Sequence, residues 1–156
     1  MLKVTENKKY FEYIIAHLRQ EDLLEVKALW RDNWQKELLK TLKNQKTLVL
    51  FSQGNPIAMG GFVPVKCKGL KMAVVWLLCS SLVSKNKSLL YKTMINEIKN
   101  AEKKYDVMFN YIYKSNFEAK NWLKKLGFKF DKPKLVGLNI KEGFEFFYKV
   151  KKGVNI

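Results

Sequence analysis

Residues Tyr111 to Phe130 read YIYKSNFEAKNWLKKLGFKF, and within them the apolar period changes twice. The run Val107 to Tyr113 is rich in β-branched and aromatic residues, which predicts a strand. Ser115 and Asn116 follow as polar residues of the kind that cap a helix. Phe117 to Leu126 then has helical spacing, and Gly127 supplies the stop. Phe128 to Phe130 reads as the start of another strand. A strand, a helix and a strand in succession require a parallel crossover.

Working outward from this segment, Lys87 to Lys104 is a long amphipathic helix, with Leu90, Met94, Ile98 and Ala101 on its apolar side. Met72 to Leu78 (MAVVWLL) is apolar throughout, as a strand covered on both faces should be. Thr47 to Phe51 and Ile57 to Val65 flank the turn Gln53-Gly54-Asn55-Pro56 and read as a hairpin. Gly60-Gly61 in the second strand marks a bulge or a close backbone approach. Helices are expected at Lys9 to Leu18, Glu21 to Leu29 and Trp34 to Leu42, and a closing strand at Gly143 to Val150. The expected class is α+β: one domain over residues 1–156, with a mixed sheet and helices on both faces.

The 156 residues suffice to bury a core, and 47% are hydrophobic. No run approaches the roughly 20 apolar residues of a membrane span, and the charged start MLKVTENKKYFEYI does not read as a signal peptide. Cys67 and Cys79 are isolated thiols and His17 is the sole imidazole, so neither zinc nor a disulfide framework is expected and a reducing cytoplasm is. Thirty Lys and Arg against fourteen Asp and Glu give a net charge of +16. Such a field attracts polyanions, yet only Arg19 and Arg31 are arginines. A solvated lysine surface with loose, non-specific nucleic-acid affinity is the simpler reading.

The element order and the segment Asn116-x-x-Ala119-x-x-Trp122-Leu123-x-x-x-Gly127-Phe128 resemble the GNAT superfamily of acyl-CoA-dependent N-acyltransferases. More narrowly, LVLFSQGNPIAMGG, VVWLLCS, AEKKYDVMFNYIY, KSNFEAKNWLKKLGF and GFEFFYKV are similar to a phage GNAT-like family that includes the small internal virion protein of short-tailed coliphages. The start LRQEDLLEVKAL, with Arg19, Asp22 and Glu25, fits that family's opening. This resemblance implies a splayed parallel strand pair, Met72–Leu78 with Val107–Tyr113, and weak binding of acetyl-CoA with pantetheine lying in the splay. The acceptor would be an unknown amine, the partners phage or virion proteins, and the location the host cytoplasm or the virion.

The resemblance places coenzyme contacts at Leu78, Cys79, Ser84, Lys85, Lys87, Ser88 and Asn116. It places a general base at Glu25 and a stand-in general acid at Tyr113. Two departures from the superfamily pattern stand out. The pyrophosphate stretch CSSLVSKNKSLL, Cys79 to Leu90, has no glycine, and glycines there let backbone N–H groups wrap phosphates. The position four before Gly127, where many members carry the acid tyrosine, is Leu123. Plainer roles compete at each residue: capping for Asn116, packing for Tyr113 and Cys79, and helix-end charge for Glu25 and Asp22.

Overall fold

A computed structural model describes residues 1–43, 45–67, 69–131 and 139–156. Six strands form one sheet in the order β1-β2-β3-β4-β5-β6: Leu2–Thr5, Thr47–Ser52, Asn55–Cys67, Leu70–Cys79, Val107–Tyr113 and Phe144–Val150. β4 and β5 are parallel, whereas β1–β2, β2–β3 and β5–β6 are antiparallel, so the sheet is mixed as expected. Helices α1 to α5 cover Lys8–Ala16, Gln20–Trp30, Trp34–Leu42, Lys87–Glu102 and Phe117–Lys125. Contacts divide the chain into two units, Met1–Gly61 with Trp76–Met94 and Phe62–Val75 with Ile95–Ile156.

In the first unit, Asn7 starts α1 by accepting a hydrogen bond from Lys9 N–H on its side-chain oxygen. Trp34, Leu38 and Leu42 recur every fourth residue on α3 and are all buried. They join Phe11, Ile14, Val26, Val49, Phe51, Met59 and Leu78 in one core. The β2–β3 turn places Gln53 and Gly54 at φ 49° and 78°, the two positive angles that match strand twist in a two-residue hairpin. β1 was not expected. It pairs with β2 from Leu2↔Leu50 to Thr5↔Thr47, and the Met1 ammonium donates to Phe51 O.

Gly60 is the close approach anticipated in β3, because a Cβ there would lie 2.6 Å from the carbonyl oxygen of Trp76. Neither backbone can yield cheaply. Gly60→Ala is expected to cost about 1–3 kcal/mol in urea denaturation, the usual penalty of overpacking. A midpoint equal to that of the parent protein would show that the two strands can move apart freely.

In the second unit, β5 and β6 are in register from Val107↔Val150 to Tyr113↔Phe144. The pairing stacks aromatic rings on both faces. Phe146 lies 5.8 Å from Phe109, 5.4 Å from Tyr111 and 5.8 Å from Tyr148, centroid to centroid, while Phe147 meets Phe128 and Phe130. Phe128 to Phe130 is not a strand: Lys129 makes one isolated antiparallel bridge to Tyr148. Among the described residues the run pairs antiparallel with β6 through this bridge, and the second parallel pair expected after α5 is not seen. A short β-like run can satisfy its backbone with one bridge and leave its rings to pack.

The stop at Gly127 is a Schellman motif. Phe128 N–H donates to Leu123 O, Gly127 N–H donates to Lys124 O, and Gly127 takes φ 86°. Gly127-Phe128 is thus helix termination joined to a core anchor. The stretch Ser81–Lys85, expected as a loop, is a 3₁₀ turn, with Ser84 Oγ donating to Ser81 O and Asn86 Nδ2 to Leu82 O.

Candidate functional site

The first unit carries the end of β4. Ser80 N–H donates to Ile57 O on β3, so even-numbered amides at this end turn toward β3. Leu78 shares that direction, while Leu77 and Cys79 face the other edge. The Cys79 edge is already occupied. Its N–H donates to Asp22 Oδ2 at 2.7 Å, and its carbonyl accepts from Arg19 N at 3.0 Å. Ser81 N–H donates to His17 O, and Leu18 bridges Ser80. The turn between α1 and α2 is therefore laid along the strand end as a short antiparallel rung.

Arg19 and Asp22 hold that rung in place. The guanidinium donates two hydrogen bonds to the carboxylate, both 2.9 Å, and the two residues are only 7% and 3% exposed. Burial pushes the Asp22 carboxyl up, opposed by the Arg19 bonds and charge and by the Cys79 N–H. Burial works against the Arg19 charge, but the Asp22 bond and charge outweigh it and raise that group. Asp22 is thus a structural acceptor inside the fold and not a helix-end surface charge.

Glu25 lies half-buried one turn further along α2. Ser84, Lys85, Lys87 and Ser88 are exposed across the 3₁₀ turn and the start of α4. This short arc brings two ammonium groups to a helix N-terminus, which suits an anion. The Ser84 hydroxyl proton is committed to Ser81 O, leaving its oxygen as an acceptor. His17, exposed, stacks on Tyr13 and engages Tyr13 O through Nδ1.

The second unit carries the β4–β5 ladder and the residues after β5. The ladder runs Met72↔Val107, Ala73↔Met108 and Val74↔Phe109, and no pair of it lies beyond Val74 among the described residues. Asn110 Nδ2 donates to Val75 O at 2.8 Å, and Tyr111 N–H donates to Asn110 Oδ1 at 2.7 Å. Asn116 is 2% exposed; its Oδ1 accepts from Ala119 N–H and its N–H donates to Tyr113 O. It caps α5. Tyr113 packs its ring on Phe144, 5.2 Å away, and against Gly143. Burial pushes the Tyr111 phenol up.

Leu78, Cys79, Ser84, Lys85, Lys87, Ser88 and Glu25 thus fall in the first unit, and Tyr113 and Asn116 in the second. Sequence reasoning missed Leu77, Asn110 and the bond between Asp22 and Cys79. An asparagine inside the apolar strand VMFNYIY was the available signal for Asn110, because Asn is depleted in strands. Among the described residues no helix is long and apolar enough to cross a membrane.

Comparison with solved structures agrees with this geometry. A GNAT-family acetyltransferase from Streptococcus pneumoniae superposes with a TM-score of 0.63 at 16% identity, over 96% of this chain and 98% of that one. The fold is that of the GNAT acetyltransferases. A spermidine N-acetyltransferase from Vibrio cholerae, solved with CoA and spermine, gives 0.64 at 10% identity, over 97% and 95%. The Campylobacter jejuni N-acetyltransferase PseH, solved with acetyl coenzyme A, gives 0.58 at 17% identity, over 97% and 99%. No family model matches the sequence, and no curated protein does. The GNAT fold carries many acceptors, so the site must argue the chemistry.

Proposed function

We propose that this GNAT-fold protein binds acetyl-CoA along the edge of β4 beyond Val75 and transfers the acetyl group to an amine. The observation that carries this reading is the ladder that stops at Val74↔Phe109 while β4 continues to Cys79. Leu77 keeps its backbone donor and acceptor on the edge away from β3, and an extended amide can add to such an edge as a strand would. When bound, acetyl-CoA supplies an acetyl group activated as a thioester.

Within this reading, Lys85, Lys87 and Ser88 hold phosphate oxygens, and Ser84 contributes its remaining acceptor to bound water. Leu78 and Cys79 shape the thioester end. Since Asp22 engages the Cys79 N–H, the Leu77 N–H is the donor assigned to the carbonyl oxygen. Glu25 takes the proton from the attacking amine, and the roles of Tyr113 as general acid and of Asn116 as a coenzyme contact are those the sequence resemblance implies. The phage resemblance places this activity in a phage-infected host cytoplasm, with an amine acceptor of undefined class.

A second reading is a phage GNAT-like protein without catalysis, serving in virion assembly or as an interaction module. It is favoured by the absence of glycine from Cys79 to Leu90, by Leu123 at the acid position, and by the engaged Cys79 amide. Loose nucleic-acid binding through the lysines accompanies either reading and should vanish between low and physiological salt.

Calorimetric titration of acetyl-CoA tests the proposal. Weak binding is expected, with Kd above about 100 μM (~−5.5 kcal/mol), because a glycine-free stretch wraps phosphates poorly. Lys87→Ala and Asn116→Ser, the latter keeping a capping oxygen, should each weaken it further. Affinity unchanged in both variants would remove these residues from the site. No heat at millimolar coenzyme would leave only the non-catalytic reading.

A further inference from the structure

The parallel ladder ends where the second unit places an asparagine side chain between two backbone groups. Asp106 O accepts from Lys151 N, and Lys114 N–H donates to Gly143 O. Even-numbered backbone groups of β5 therefore turn to β6, and odd-numbered ones, including Tyr111 N–H, turn to β4. On β4 the Val75 carbonyl points to β5, as its bond from Asn110 Nδ2 shows. Continuing the register Met72↔Val107, Ala73↔Met108, Val74↔Phe109 by one step would join Tyr111 N–H directly to Val75 O.

That rung is not made. Both of its ends are instead satisfied by one side chain, with Tyr111 N–H donating to Asn110 Oδ1 and Asn110 Nδ2 donating to Val75 O. An amide fits this place because one carbon carries both an acceptor oxygen and a donor nitrogen. Aspartate lacks the donor, and valine offers neither. Burying an unpaired backbone group is costly, so without the amide the two groups have every reason to find each other.

We propose that Asn110 is the positioning residue that terminates the β4–β5 ladder, its side-chain amide replacing one backbone rung so that the pairing stops at Val74↔Phe109. Unlike the residues named under the proposed function, it needs no contact with a ligand. It acts through the backbone groups of Val75 and Tyr111, and its consequence for coenzyme affinity rests on the reading given above.

The test is scalar coupling across hydrogen bonds, read by NMR on isotopically labelled protein, beside acetyl-CoA titration. In the parent protein, Val75 C′ should couple to Asn110 Nδ2 and not to Tyr111 N. In Asn110→Val, a Tyr111 N to Val75 C′ coupling should appear, and acetyl-CoA affinity should fall at least about tenfold, as expected when a ligand's backbone partners are withdrawn. A Tyr111–Val75 coupling already present in the parent protein would overturn the proposal, as would its absence in a folded Asn110→Val. If the coupling appears while measurable coenzyme affinity is unchanged, the ladder device stands and the placement of coenzyme on β4 falls. If Asn110→Val does not fold, Asn110→Asp, which keeps only the acceptor, should lose the bond to Val75 O, and the parent couplings remain decisive.

Discussion

Asp22→Ala should lower the stability of the protein by about 3–5 kcal/mol, the usual cost of removing one member of a buried ion pair. The effect is large because two losses coincide. Arg19, at 7% exposure, loses the carboxylate that takes two of its hydrogen bonds, and the Cys79 N–H loses the acceptor it holds at 2.7 Å. Replacing both members, Arg19→Met with Asp22→Leu, should recover most of the deficit, because a buried ion pair stabilises little over an apolar pair. A remainder of about 1–3 kcal/mol should persist from the lost hydrogen bond between the Cys79 N–H and Asp22. Urea denaturation of the two single variants and the double variant measures each quantity. An Asp22→Ala protein within 1 kcal/mol of the parent, taken as roughly the scatter of surface substitutions, would mean that water reaches the pair.

Phe146→Ala should cost a comparable amount, about 3–5 kcal/mol, by emptying the centre of the β5–β6 aromatic face. Phe146 is 3% exposed and is the ring that Phe109, Tyr111 and Tyr148 all meet. Its three neighbours stand on a ladder in register, so the backbone cannot collapse into the vacancy. Phe146→Leu, which refills part of the volume, should recover roughly half of the loss. Equal stability of the alanine variant and the parent would place the ring outside the packing that holds β6.

What could be read from the sequence was what local chemistry dictates. The Gln53-Gly54 turn, the glycine stop at Gly127 and the repeat of Leu90, Met94, Ile98 and Ala101 along α4 each signal themselves within a few residues. Gly60 could also be read, since glycine inside an apolar strand has few other reasons to be there. β1 escaped because Leu2–Thr5 is four residues long with charged neighbours, and only β2 makes it a strand. Phe128 to Phe130 reads as strand from its composition, and among the described residues it shows one antiparallel bridge, Lys129 with Tyr148 of β6, closed by two backbone hydrogen bonds.

The site was less legible for the same reason. Asp22 and Cys79 lie 57 residues apart, and no spacing rule connects them. Arg19 and Asp22 at i and i+3 are a visible helical pair, but their burial comes from the strand end they clasp. Asn116 could be read as a cap and is one. Asn110 could be read as polar, but only the register of β4 against β5 shows that its amide stands in for a rung.

The most direct test of coenzyme binding on β4 is an amide-shift map of labelled protein titrated with acetyl-CoA. Leu77 should show one of the largest backbone shifts, with Lys87 and Ser88 following, while the Cys79 amide, held by Asp22, moves little. Saturable shifts elsewhere that leave Leu77 and its neighbours on β4 unmoved would contradict the account.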